Sequence, residues 1–160
     1  MPIDSIRSGF SVRYRGSPVD EDWAIKGMEE NASTQFNMIG YSYGSLLAAQ
    51  TAHFYAHNGH IVDNVVLVGS PIDGDFLSDL KKQKNIRNII LKDLKEYGDP
   101  LFAGMSQFRL VVSGIKLARQ MQKTQETGEG FGHFYYATAT REGSRRRRDL
   151  ARFIYRQGLR

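Results

Sequence analysis

The feature that most limits what this chain can fold into is a short turn, Gly40-Tyr41-Ser42-Tyr43-Gly44, set between two segments of different period. Ahead of it, Gln35 to Tyr41 (QFNMIGY) has the apolar character of a strand. Behind it, Ser45 to His57 is rich in Leu and Ala and reads as a helix, which Asn58-Gly59 stops by supplying a left-handed residue. A strand that turns into a helix through so few residues brings two backbones close together. Glycine permits that approach because it has no Cβ.

The same alternation runs along the rest of the chain. Gly9 to Arg15 (GFSVRYR) alternates apolar and polar residues as a strand does, and Gly16-Ser17-Pro18 breaks it. Asp20 or Asp22 is placed to cap a helix from Trp23 to Glu30. Beyond the turn, Asp63 to Gly69 (DNVVLVG) has the continuous apolar run of a strand buried on both faces. A short helix over Asp75 to Lys82 and a strand over Asn85 to Leu94 follow. Met105 to Gln122 places Met105, Phe108, Val111, Val112, Ile115 and Met121 at helical spacing. A Gly-rich loop, Gly128 to Gly132, leads to a last helix over Ser144 to Arg156, with Leu150, Phe153 and Ile154 as its apolar face. Strands alternating with helices predict an α/β fold, a mostly parallel sheet flanked by helices on both faces. In such sheets the ligand site lies beyond the carboxyl ends of the strands. The 160 residues suit one domain, either a minimal unit or the C-terminal part of a larger protein.

Composition removes several alternatives. With no cysteine, neither a disulfide framework nor a thiolate metal site can form. No stretch reads as a signal peptide or reaches the length of a membrane span, so the chain is expected to be soluble, cytoplasmic or exported by a route that needs no signal. The formal net charge of +5 owes much to Arg145, Arg146, Arg147 and Arg148, and elsewhere acids and bases are mixed. That distribution does not suit a nucleic-acid binder, whose charge lines one face, and no nucleic-acid partner is expected. Four consecutive arginines surround a helix and read first as a solvated face, with contact to an anionic membrane surface as the alternative. His53 and His57, four residues apart, lack an obvious third metal ligand. No metal or cofactor is expected.

The chemistry is carried by the turn. G-x-S-x-G directly after a strand and before a helix presents a serine on a strained backbone, with glycines two before and two after it to let the elements pack closely. The helix N-terminus behind it favours developing negative charge. Here the sequence resembles the α/β-hydrolase superfamily. Asn37 to Gln50 (NMIGYSYGSLLAAQ) looks like the nucleophile elbow of its lipases, esterases and thioesterases, and VVLVGSPID looks like the next strand. The resemblance implies a Ser-His-Asp triad with Ser42 as nucleophile. A serine hydroxyl needs a base to take its proton, and in this family that base is a late histidine. His133, in Gly130-Phe131-Gly132-His133-Phe134, holds that place. The acid follows the penultimate strand, which favours Asp99 in Tyr97-Gly98-Asp99-Pro100, with Asp93 and Asp73 as rivals. The Tyr43 backbone N–H is the implied first oxyanion donor. Gly16 or Ser17 is the remaining candidate for the second.

Aromatic residues cluster where the site is expected. Tyr41, Phe102 and Phe131 are read as substrate-binding, with Met105, Phe108 and Phe134 nearby in sequence, and they suit an acyl ester or lipid. Two departures from the family stand out. Only 41 residues precede Ser42, and residues 102 to 126 read as a long helix where a final strand is expected. Without room for a large lid, the site is expected to be open, as in the small cutinase-like esterases. Two competing readings are a lipase-type toxin or effector domain of a larger secreted protein and a non-catalytic binding domain with the same fold.

Overall fold

The computed structural model describes residues 35–159. The strand expected over Gly9 to Arg15 and the helix expected over Trp23 to Glu30 lie outside the described residues. The described elements are β1 (Asn37–Tyr41), α1 (Tyr43–His57), β2 (Val62–Val68), α2 (Gly74–Lys82), β3 (Ile86–Lys92), a 3₁₀ turn (Lys95–Tyr97), α3 (Gln107–Thr127), a second 3₁₀ turn (Gly132–Phe134) and α4 (Arg141–Arg156).

The three strands form one parallel sheet in the order β1-β2-β3. Parallel neighbours need crossover connections, and α1 and α2 supply them. Right-handed crossovers in a sheet whose strands follow chain order put both helices on one face. The packing agrees. Val65 and Leu67 of β2 join Leu46, Ala49 and Ala52 of α1 and Leu77 and Leu80 of α2 in one buried cluster. Val66 and Val68, pointing the other way by the two-residue strand period, join Leu94, Tyr136, Ile154 and Leu159 in a second. β2 is therefore covered on both faces, and its uninterrupted apolar run follows from that. The small side chains of α1 (Ser45, Ala48, Ala49, Ala52, Ala56) are buried and let the helix lie close to the sheet.

A polar ladder crosses the sheet in register. Asn64 donates to Asn37 Oδ1 at 2.7 Å and Asn88 donates to Asn64 Oδ1 at 3.1 Å. A one-residue slip of any strand would leave buried amides unpaired, so the ladder fixes the pairing.

The helix expected over Met105 to Gln122 is present as α3, but its apolar residues do not pack into the core. Met105 is buried, but it precedes the helix and bridges to Asp73. Ser106 caps α3, its hydroxyl accepting from the Arg109 amide. Phe108, Val111, Val112, Ile115 and Met121 are all exposed, and no residue of the helix is buried. Periodicity reports that a helix has an apolar side; it does not report what covers that side.

Candidate active site

Ser42 sits between β1 and α1 with φ 55° and ψ −131°. Among the described residues it is the only non-glycine residue with positive φ. Such a conformation costs on the order of 1–3 kcal/mol and persists where neighbours over-determine it. Here the Ser42 amide donates to the Val68 carbonyl of β2 at 2.9 Å, and the Ser42 carbonyl accepts from the Ser45 amide and hydroxyl. Ser45 Oγ also lies 2.7 Å from Ser70 Oγ, within hydrogen-bond reach, which ties the turn to the end of β2.

The two glycines of the motif are not equivalent. A Cβ on Gly40 would stand 2.4 Å from both the Gly44 carbonyl oxygen and Ser45 Cα, so glycine is obligatory there. A Cβ on Gly44 would meet nothing within 4 Å. The expectation that both glycines serve close packing holds only for the first.

Ser42, His133 and Asp99 are brought together although 91 and 34 residues separate the two pairs. Ser42 Oγ lies 2.6 Å from His133 Nε2, and His133 Nδ1 lies 2.9 Å from Asp99 Oδ2. The Asp99 carboxylate has no solvent exposure and the imidazole is buried, while Ser42 stays half-exposed. A buried carboxylate needs its lone pairs satisfied. Oδ2 has His133, and Oδ1 accepts from the Leu101 amide at 2.8 Å. The rival acids have other tasks. Asp73 caps α2 by accepting from the Phe76 amide at 2.8 Å, and Asp93 accepts from the Ala103 amide at 3.0 Å.

Each partner is held by its own local structure. Asp99 follows β3 through the 3₁₀ turn Lys95–Tyr97, with Leu94 fully buried beneath it. His133 lies in the turn Gly132–Phe134, reached through Gly132 at φ 53°. A Cβ on Gly132 would come within 2.3 Å of the Gln120 side chain. That contact identifies a residue the sequence had not singled out. Gln120 of α3 donates to the Gly98 carbonyl at 2.8 Å and accepts from the His133 amide at 3.0 Å, joining the acid loop to the base turn. A ring stack between Tyr97 and Tyr135, centroids 3.6 Å apart, joins the same two segments.

The arginine run also acts here. Arg145 and Arg148 are exposed, and Arg145 pairs with Glu142 and Asp149, as a solvated face would. Arg146 and Arg147 reach back to the segment that carries His133. Arg146 Nη1 donates to the Gly130 and Tyr135 carbonyls at 2.9 and 3.2 Å, and its guanidinium lies 4.1 Å from the Tyr135 ring centroid. Arg147 donates to the Tyr136 and Thr138 carbonyls. Half of the run is thus structural, which corrects the reading of a wholly solvated face.

Tyr43 opens α1 immediately after Ser42, the position where the resemblance to α/β hydrolases places an oxyanion donor. Gly16 and Ser17 lie outside the described residues. Tyr41, expected to bind substrate, instead donates its hydroxyl to the His133 carbonyl and lies nearly parallel to the imidazole at 5.9 Å. Burial, with the Asp99 charge adding to it, pushes the Tyr41 phenol above the usual tyrosine range, so it stays protonated and keeps donating. Phe102 and Phe131 are partly exposed, each with an ammonium over its ring, Lys95 at 4.0 Å and Lys123 at 4.3 Å. A shallow cleft of about 280 Å³ lined by Asp73, Gly74, Asp75, Gly104, Ser106 and Gln107 contains none of the three aligned residues.

His53 and His57 lie ring over ring on α1, and His53 Nε2 is 2.9 Å from the Gln83 amide nitrogen. Among the described residues no three His, Cys, Asp or Glu side chains converge as metal ligands.

Comparison with known proteins adds one match. The model of a family described as alpha/beta hydrolase matches residues 22–83, a span that takes in the Ser42 turn and ends before Asp99 and His133. No curated protein and no solved structure matches the chain.

Proposed function

We propose that the chain, whose residues 22–83 match the model of an alpha/beta hydrolase family, is a serine hydrolase of carboxylic esters working through Ser42, His133 and Asp99. The observation that carries the reading is the continuous relay of 2.6 and 2.9 Å from the Ser42 hydroxyl through His133 to a fully buried Asp99 carboxylate. A binding domain that had merely kept the fold would have no use for a strained serine aligned on a buried imidazole–carboxylate pair.

In the proposed reaction His133 Nε2 takes the Ser42 proton as Oγ bonds to the ester carbonyl carbon. Asp99 holds the Nδ1–H tautomer and stabilises the imidazolium that results. The carbonyl oxygen, now an oxyanion, develops its charge beside the α1 N-terminus, where the Tyr43 N–H is the donor at hand. Collapse breaks the bond to the alcohol oxygen, which leaves with the proton from His133. Water, deprotonated by the same imidazole, then attacks the acyl-serine and releases the acid.

The substrate class we infer is an acyl ester with an apolar acyl part, most simply a lipid. Phe102 and Phe131, partly exposed beside the acid and base segments, favour an acyl chain over a charged peptide. A panel of p-nitrophenyl esters from acetyl to octanoyl tests this. Turnover rising with chain length and abolished by Ser42→Ala is the expected result. Turnover confined to peptide amides, or unaffected by Ser42→Ala, would overturn it.

A further inference from the structure

α3 is a 21-residue helix with no buried residue, and its sides differ in chemistry. One side, carrying Gln120 with the partly buried Leu110, Leu117 and Thr124, faces the protein. On the other, Phe108, Val111, Val112 and Ile115 are 77, 78, 60 and 69% exposed. At about 100° per residue these four share an arc of roughly 100° along the first two turns. Contiguous apolar exposure of this kind marks a surface that meets something.

The charge on the helix narrows what it meets. Arg109, Lys116 and Lys123 recur at seven-residue steps and so run as a row along one edge of the apolar arc, about 21 Å long at 1.5 Å per residue. Arg119 continues the arc beyond Ile115. The only acid in α3 is Glu126, near its end. On α4, Arg145, Arg146, Arg147 and Arg152 are engaged with Glu142, Asp149 and loop carbonyls. On α3, among the described residues, no carboxylate pairs with Arg109, Lys116 or Arg119.

We propose that α3 docks the protein on an anionic lipid surface. The helix lies in the plane of the interface, Phe108, Val111, Val112 and Ile115 enter the boundary of the acyl region, and the cations sit among the phosphates. An apolar strip edged by Lys and Arg is the composition that interfacial helices use. No helix among the described residues is long and apolar enough to cross a membrane, so the helix lies on the surface and does not span it. A second copy is the less suitable occupant. An antiparallel two-fold contact through this strip would set one basic row against another. This inference goes beyond the proposed hydrolysis and does not depend on it, because the helix would bind whether or not Ser42 reacts.

The test uses the full chain and vesicles of ether-linked lipid, which an esterase does not cleave, of pure phosphatidylcholine or with a third phosphatidylglycerol. Co-sedimentation with the anionic vesicles only is expected. Each cation at such a surface is worth roughly five-fold in partitioning, so Arg109→Gln, Lys116→Gln and Arg119→Gln together should weaken binding on the order of 100-fold. Val111→Glu with Ile115→Glu should abolish it. Both variants alter exposed positions and should keep the wild-type unfolding temperature and the rate at which a fluorophosphonate labels Ser42. No binding to anionic vesicles, or binding indifferent to headgroup and to both variants, would overturn the proposal. So would a dimer in light scattering that Ile115→Glu dissolves. Protection of Phe108 from hydroxyl radicals in the lipid-free monomer would overturn it too, by giving the face to residues 1–34.

Discussion

Gln120 supplies the sharpest perturbation of the site, because one neutral side chain joins the acid loop to the base turn. Gln120→Met keeps the volume and removes both hydrogen bonds. The Gly98 carbonyl is exposed and water can replace the lost donor, at a cost well under 1 kcal/mol. The His133 amide belongs to a buried residue, and leaving it unpaired costs about 1–3 kcal/mol. The total is a few kcal/mol at most, small enough to leave a folded protein. Turnover should suffer more than stability, since a displacement of about 1 Å in a reacting group costs on the order of 100-fold. The expected result on a soluble ester is a 10- to 100-fold loss of kcat, with KM changed less than about two-fold. Gln120→Glu provides the control that packing alone does not move. Its carboxylate can still accept from the His133 amide, so it should recover most of kcat. The added negative charge favours the imidazolium, so the acid limb of the kcat/KM profile should shift to higher pH, whereas Gln120→Met should leave that limb in place. Wild-type kcat in both variants, or equal losses of kcat in both with unmoved pH limbs, would refute the positioning role.

The two glycines of the turn should separate in thermal unfolding. Gly40→Ala forces a Cβ into backbone at 2.4 Å and should cost at least about 1–3 kcal/mol, while Gly44→Ala should be neutral or slightly stabilising, as Ala is in a helix. Asp99→Asn should keep the fold but lower kcat on the order of 10⁴-fold by presenting the wrong tautomer of His133, whereas Asp93→Asn and Asp73→Asn should leave kcat within a few-fold and act on stability instead. Burial, and then the neighbouring His57, hold the His53 imidazole below its ordinary value. The unfolded chain therefore takes up that proton first, and the stability His53 contributes is intact above about pH 6.5 and falls as pH drops below it. His53→Gln should flatten the fall in denaturant midpoint between pH 7 and 5, and an unchanged slope would sink the assignment.

The elements that place Ser42 were legible in the sequence because each has a local cause. β1, α1, β2, α2 and β3 follow from period, from the glycines and from Asn58-Gly59, and all lie within one or two residues of expectation. The acid was less legible. Asp73, Asp93 and Asp99 all follow strands, and what separates them is which backbone amide each carboxylate meets, a fact of the folded loops. The side chains that hold the base turn were not legible at all. Gln120 carries no chemical signature at its position, and Arg146 and Arg147 sit in a run whose consecutive residues point in different directions. Helical spacing in α3 was read correctly as a helix, but spacing alone did not tell that, of the set, only Met105 would be buried. Tyr41 was read from its place beside the nucleophile as a substrate contact, yet its hydroxyl is engaged with the His133 carbonyl.

The central claim is that Ser42 is a nucleophile activated by His133, and covalent labelling tests it most directly. The folded protein is incubated with a fluorophosphonate, digested and mapped by mass spectrometry. A single phosphonylated residue, Ser42, is expected in the wild type, with none in Ser42→Ala and labelling slowed on the order of 10³-fold or more in His133→Ala, where the base that activates the serine is gone. An unmodified Ser42 in the natively folded protein, or labelling that proceeds at the same rate without His133, would contradict the account.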